Sequence, residues 1–344
     1  MPTDTIMPSS KLTEPLLTDI SVVVPVFNSE GSLDELVRRL ESTLSNLTDV
    51  YEIILVNDGS YDHSWQVVNN LMAEFPFVRG IDLMRNFGQH NALLAGIRAA
   101  NYELIVTLDD DLQNPPEEIP KLISKLYEGY DAVYGSPARE HHGLWRNLSS
   151  QATKLALQAS MGVDVARKVS AFRVFRTRLR NAFSNYRSSF LSIDVLLTWG
   201  TTRFSAVTVR HEQRVVGTSN YTFAKLVSHA LNMVTGFSIL PLQVASLIGF
   251  GVTLLGIGIL VYVLGRYFLQ GNPVPGFPFL ASMIAIFSGS QLFALGIIGE
   301  YLARMHFRMM EKPTYVVREH LENHFSHGTS LLSVNDQAHD QRSH

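Results

Sequence analysis

Cysteine is missing from all 344 residues, which removes disulfides, thiolate nucleophiles and Cys-based zinc sites at once. An excess of basic charge is missing too. The formal net charge is −3, too balanced for a surface built to bind nucleic acid. Neither G-x-G-x-x-G nor G-x-x-x-x-G-K-[ST] occurs, so a dinucleotide fingerprint and a P-loop are both excluded. A nucleotide held here needs metal and carboxylates in place of a glycine-rich cradle. The stretch from Met1 to Thr18 lacks the basic start and apolar centre of a signal peptide. It is polar, with scattered Pro and Ser, and reads as a disordered leader that leaves the following domain in the cytoplasm.

What the chain does have is apolar runs that end abruptly in polar residues. Leu104-Ile105-Val106-Thr107-Leu108 runs into Asp109-Asp110-Asp111-Leu112-Gln113, and Pro115-Pro116 then opens a helix to about Tyr127. Such a run reads as a strand buried on both faces of a parallel sheet. Three adjacent carboxylates repel one another unless water or a cation screens them. Hard oxygen ligands at a strand end suit Mg²⁺ or Mn²⁺ beside a phosphorylated ligand. The plainer alternative is a solvated acidic turn capping the next helix. Two further strands end the same way: Ile20 to Val26 before Phe27-Asn28, and Tyr51 to Val56 before Asn57-Asp58-Gly59-Ser60. A weaker third strand, Gly80 to Met84, precedes Arg85-Asn86-Phe87-Gly88-Gln89-His90, and another run spans Asp131 to Gly135. Strands alternating with amphipathic helices predict an α/β domain with a mostly parallel, Rossmann-like sheet. Ligands of such sheets bind at the carboxyl ends of the strands, where Asn28, Asp58 and the Asp triplet converge.

The ordered set V-V-V-P-V-F-N-S-E, V-N-D-G-S-x-D, R-N-F-G-Q-H and D-D-D-L-Q-N-P-P-E-E-I-P resembles the family 2 glycosyltransferases of the GT-A fold. Within it, the chain is most similar to the branch acting on polyprenyl phosphates, over roughly residues 20 to 315. The resemblance implies inverting transfer of one sugar from a nucleotide diphosphate sugar, UDP-linked by preference, to undecaprenyl phosphate. Carried over by position, Pro25, Phe27 and Glu30 match the residues holding base and ribose, and Asp58 the one reading the base. Asp109 and Asp111 match the D-x-D ligands of Mn²⁺ or Mg²⁺, Gln113 a further ligand, and Asp110 the variable middle position. A divalent ion neutralises charge on the departing diphosphate.

Arg139, Arg146 and Ser150 fall where relatives place contacts to the acceptor phosphate. Arginine's planar fork can grip two phosphate oxygens at once. Arg214 and Ser219 match a loop that closes over the diphosphate, but Asn220 stands where that loop carries Lys. Arg210 and Lys225 are the candidates to replace it. An acidic pattern that relatives carry before the strand at Arg173 reads Lys168-Val169-Ser170-Ala171 here, so no general base is found there. A lipid phosphate is already largely ionised near neutral pH, which makes positioning by Arg146 and Arg139 the first explanation. Asp194, an acid amid apolar residues, calls for a partner or a role and is the second candidate.

Thr222 to Phe237 carries apolar residues at helical spacing, with Lys225 and His229 opposite, and predicts an amphipathic helix at the membrane interface over 222–238. Ile239 to Leu264 and Phe279 to Gly299 carry no charge, and about 20 apolar residues suffice to span a bilayer. They predict a two-span hairpin within 239–304. Lys225, Arg304, Arg308 and Lys312 outside it place the catalytic domain (19–221), both termini and the 305–344 tail in the cytoplasm of a bacterial inner membrane. Gly249, Gly251, Gly256 and Gly258, with Gly289 and Gly296, are expected to let the two spans touch closely. Beyond Glu319 the tail reads as solvated and disordered. Homo-oligomerisation stays open. Two alternatives stand beside the transferase reading: a processive synthase, which expects Q-x-x-R-W and more spans, and a non-catalytic binding subunit of an envelope complex.

Overall fold

The computed structural model describes residues 18–137, 168–187, 192–212, 240–270, 276–310 and 312–321. The first half opens with β1 (Ile20–Val26), α1 (Leu33–Leu44), β2 (Tyr51–Asn57), α2 (Ser64–Glu74), β3 (Val78–Leu83) and α3 (Gln89–Ala99). It continues with β4 (Leu104–Thr107), a 3₁₀ turn (Pro116–Glu118) leading into α4 (Ile119–Tyr127), and β5 (Ala132–Pro137). Then come β6 (Arg173–Arg176), a 3₁₀ segment (Thr177–Phe183), α5 (Ile193–Gly200) and β7 (Phe204–Val209). The long helices α6 (Leu240–Gln270) and α7 (Gly276–Met309) follow, and β8 (Val317–Leu321) comes last.

One sheet gathers all eight strands in the order β7-β5-β6-β4-β1-β2-β3-β8. β1 to β4 are mutually parallel, and β7 runs parallel to β5. β6 runs against both β4 and β5, and β8 against β3. The result is a mixed but mostly parallel GT-A-like α/β sheet. Side chains alternate across it as strand geometry requires. Val22 and Val24 join the core under α1, α2 and α4, whereas Val23 joins the core under α3 and α5. Every β1 residue is buried, which is why this segment reads as an apolar run broken only by Ser21, whose hydroxyl bonds to Glu52. Helix α3 lies close to the sheet because Gly96 has no side chain: a Cβ there would overlap Val23.

The two helices α6 and α7 are long and apolar enough to cross a membrane, over Leu242–Tyr262 and Ile286–Ala303. Their contact differs from the expected small-residue seam. A Cβ added at Gly256 would meet the Phe287 ring, whereas one added at Gly249, Gly251, Gly258, Gly289 or Gly296 would have nothing within 4 Å. Among the described glycines of the two spans, Gly256 is thus the close approach. The expectation of disorder beyond Glu319 also needs correction at its start. His320 and Leu321 belong to β8, paired with Ile81 and Gly80 of β3, so the chain returns after α6 and α7 to complete the sheet. The leader up to residue 17, the 222–238 helix and the tail from 322 lie outside the described residues.

Candidate active site

The Asp triplet leaves β4 as a tight turn at the carboxyl edge of the sheet. Leu112 sits at φ 61° in the left-handed region, unusual for a branched side chain, and is held there because that side chain is buried in the core. The turn gives each carboxylate a different setting. Oδ1 of Asp111 accepts the Gln113 amide at 3.1 Å. Asp109 accepts from the Gln89 side chain at the start of α3. Asp110 is the structural member: its Oδ2 accepts the Phe27 amide (3.1 Å) and the Ser29 hydroxyl, and its carbonyl accepts the Ser32 hydroxyl at 2.7 Å. Burial pushes the Asp110 carboxyl up, with the Ser29 and Phe27 bonds opposing. The middle position thus ties the end of β1 to the end of β4.

Neighbouring strand ends are joined in the same way. Asn28, at φ 53°, donates its amide to Ser60 Oγ (3.0 Å) and accepts the Tyr61 amide on its own Oδ1 (2.8 Å). Glu30 accepts the His63 amide at 2.9 Å, and the Phe27 and Tyr61 rings meet edge to face with centroids 6.1 Å apart. Pro25 lies within β1 opposite Val56. Asp58 is buried and accepts the Phe87 (2.7 Å) and Gly88 (2.8 Å) amides, fixing the loop after β3. Burial raises its carboxyl while those two amides pull it back. Gly59 is required where this loop crosses: a Cβ would lie 2.5 Å from the Arg85 carbonyl carbon and the Asn86 nitrogen, and its φ is +65°. Gln89, Ser29 and Ser60 have no site role in the sequence reading, although each lies in one of its motifs: R-N-F-G-Q-H, V-V-V-P-V-F-N-S-E and V-N-D-G-S-x-D.

Residues 21–187 match the family described as Glycosyl transferase family 2. The chain is 34% identical over 310 residues to an undecaprenyl-phosphate 4-deoxy-4-formamido-L-arabinose transferase of Klebsiella pneumoniae, covering 89% of this chain and 95% of the relative. To the transferase of the same description from Pseudomonas aeruginosa it is 35% identical over 301 residues, covering 87% and 89%. The chain belongs to glycosyltransferase family 2. A solved structure of glucosyl-3-phosphoglycerate synthase from Mycobacterium tuberculosis, with Mn²⁺ and UDP, aligns over 63% of this chain and 78% of that one, at 20% identity and TM-score 0.48.

In this glycosyltransferase the partner that Asp194 calls for is Arg173. The two form a buried ion pair, joined by the Tyr134 hydroxyl, which donates to Asp194 Oδ1 at 3.1 Å. Arg173 Nε also donates to the Thr107 hydroxyl (3.0 Å), at the end of β4 and two residues before Asp109. Tyr134 is pushed well above the usual phenol range, first by burial and then by the Asp194 carboxylate. Arg210, a candidate for the missing loop cation, is paired with Glu118 at 2.7 Å. The Gln113 carbonyl accepts the Glu212 amide at 2.9 Å, joining the Asp turn to the chain after β7. Arg139, Arg146, Ser150, Arg214 and Ser219 lie outside the described residues.

The donor set at the turn fits a divalent cation of the Mg²⁺ or Mn²⁺ kind. Among the described residues no three His, Asp or Glu side chains form an all-protein cage. Such ions are commonly held by one or two carboxylates and completed by substrate phosphates, which is what Asp109 and Asp111 offer.

Proposed function

We propose that the chain transfers one sugar, with inversion, from a nucleotide diphosphate sugar to undecaprenyl phosphate. The observation that carries the reading is the pair Asp109 and Asp111 at the open end of β4, set in a chain with 34% identity to an undecaprenyl-phosphate sugar transferase. When bound, a divalent cation on Asp109, Asp111 and Gln113 supplies charge neutralisation for the diphosphate. The protein's own side chains do the rest. Pro25, Phe27, Glu30 and Asp58 seat the nucleoside at the ends of β1 and β2, and Arg214 and Ser219 contact the diphosphate. Arg139, Arg146 and Ser150 hold the acceptor phosphate in line with the anomeric carbon. That phosphate is already ionised, so its oxygen attacks without a protein base, and Asp194 serves to hold Arg173 beside β4.

Topology supports delivery of the acceptor from a bilayer. The chain leaves β7 at Val209 and re-enters β8 at Val317, opposite Pro137 and Leu83. Both points lie on the carboxyl edge that carries the Asp turn. In this reading the mouth of the site faces the membrane, at the cytoplasmic face of a bacterial inner membrane. Purified full-length protein should release nucleoside diphosphate from UDP-sugars only with undecaprenyl phosphate and Mn²⁺ or Mg²⁺ present. No release across a panel of donors would favour the non-catalytic subunit.

A further inference from the structure

We propose that Arg318, carried on the strand after the second membrane helix, is a positioning residue for the donor pocket; only the identity of the ligand rests on the transferase reading. The sequence Val317-Arg318-Glu319-His320-Leu321 is polar, and four of its five residues are exposed. It is a poor strand by itself, and what it brings to β3 is one cation. Leu83 pairs with Val317 but Asp82 pairs with Glu319, so Arg318 is an extra residue in the ladder. Such bulges re-aim a side chain. Here the guanidinium is turned onto Asp82 Oδ2 at 3.0 Å and onto the Met84 carbonyl at 2.9 Å.

Each acceptor heads a chain of hydrogen bonds along the carboxyl edge. Asp82 is buried, and its other oxygen accepts from Asn57 Nδ2 at 2.7 Å. Asn57 Oδ1 accepts the Ser60 amide at 3.3 Å, and Ser60 Oγ accepts the Asn28 amide at 3.0 Å. Phe27 and Ser29, on either side of Asn28, bond to Asp110 in the Asp turn. The second branch starts at Met84 and enters the loop whose Phe87 and Gly88 amides sit on Asp58. A buried carboxylate without its countercharge is costly, so the first branch depends on Arg318 being docked. The two acceptors are met by two different nitrogens of one rigid planar fork, whereas lysine brings a single nitrogen on a flexible stem. The membrane-borne segment thereby sets the geometry of a pocket formed by β1, β2 and β3.

The test compares wild-type, Arg318→Gln and Arg318→Lys full-length protein in nanodiscs, by amide exchange and by binding of UDP with Mn²⁺. Arg318→Gln should speed exchange at Ser60, Phe87 and Gly88 roughly tenfold, as expected for one lost charge-assisted bond, while β1 and β4 amides stay protected. Its UDP affinity should fall by a similar factor, with affinity for undecaprenyl phosphate unchanged. Arg318→Lys should recover Ser60 but leave Phe87 and Gly88 fast. Unaltered protection at these three amides overturns the proposal, as does uniform loss that includes β1 and β4. Should Arg318→Gln not fold, the split between branches in Arg318→Lys decides. A wild-type protein that ignores UDP refutes the donor assignment, and the exchange result still judges Arg318.

Discussion

Replacing Asp111 with Asn removes a charge from the turn proposed to face the diphosphate, and turnover should fall to background while the circular dichroism spectrum and melting temperature stay close to wild type. Asp110 separates two effects. A single oxygen, Oδ2, accepts both Phe27 and Ser29, and the amide oxygen of Asn can occupy that place. Burial already works against ionisation there. Asp110→Asn should therefore keep most activity, whereas Asp110→Ala removes the acceptor of the exposed Phe27 amide and of Ser29 and costs about 1 kcal/mol. Denaturant melts together with donor KM distinguish the three variants. If Asp110→Asn is as damaging as Asp111→Asn, the assignment of the middle carboxylate to structure is wrong. Asp194 behaves differently again. Asp194→Asn strands Arg173 in the core, at a cost of about 3–5 kcal/mol, and activity should fall in step with thermal stability. Combining Arg173→Met with Asp194→Leu should restore most of the stability. Full stability of Asp194→Asn with chemistry abolished would instead make Asp194 the base.

At the scale of elements, the sheet edge is braced by charge as well as by backbone pairing. Glu118, at the start of α4, accepts Arg210 from the end of β7 and is paired with Lys121. Burial alone would raise its carboxyl, but the Lys121 and Arg210 bonds outweigh it and hold the group below its ordinary value of 4.5. A carboxyl depressed by folding stabilises the native state above that ordinary value and loses its contribution as pH falls through the folded one. Glu118→Gln should thus destabilise by about 1 kcal/mol at pH 7, with the difference from wild type vanishing in acid below the usual carboxylate range. A difference that persists unchanged at pH 3 would assign the effect to packing. The elements also show how far sequence could lead. β1, β2 and β4 were legible because strands buried on both faces are mainly apolar, and polar residues follow each run. The reversed direction of β6 was not legible, since Arg173 to Arg176 pairs with β4 and β5 over long separations that leave no local trace. β8 was missed for the opposite reason: an exposed edge strand needs no apolar face, and its Arg318–Asp82 contact joins residues 236 positions apart.

On the scale of the whole molecule, β8 fixes something the apolar stretches alone leave open. Because β8 pairs with β3 in the sheet that holds β1 and β7, the chain before α6 and the chain after α7 lie on the same side of any membrane crossed between them. Any such crossings are even in number, and α6 and α7 are long and apolar enough to supply two. Under the proposed topology the side is cytoplasmic, because Lys225, Arg304, Arg308 and Lys312 lie outside the hairpin against Arg266 near its turn, and positive charge gathers on cytoplasmic segments. The absence of cysteine gives the means of testing this. Asn272→Cys places a lone thiol in the link between the two helices, where a membrane-impermeant maleimide should label it in intact cells. Ser333→Cys, beyond β8, should react only after the membrane is opened. Glu319→Cys, on the exposed face of β8 itself, should behave like Ser333→Cys, because its partner Asp82 belongs to the catalytic sheet. Labelling of both Glu319→Cys and Ser333→Cys in sealed cells would invert the orientation. Opposite labelling of Glu319→Cys and a cysteine placed at Thr208 of β7 would break the shared sheet, and with it the argument that the membrane hairpin returns the chain to its own active site.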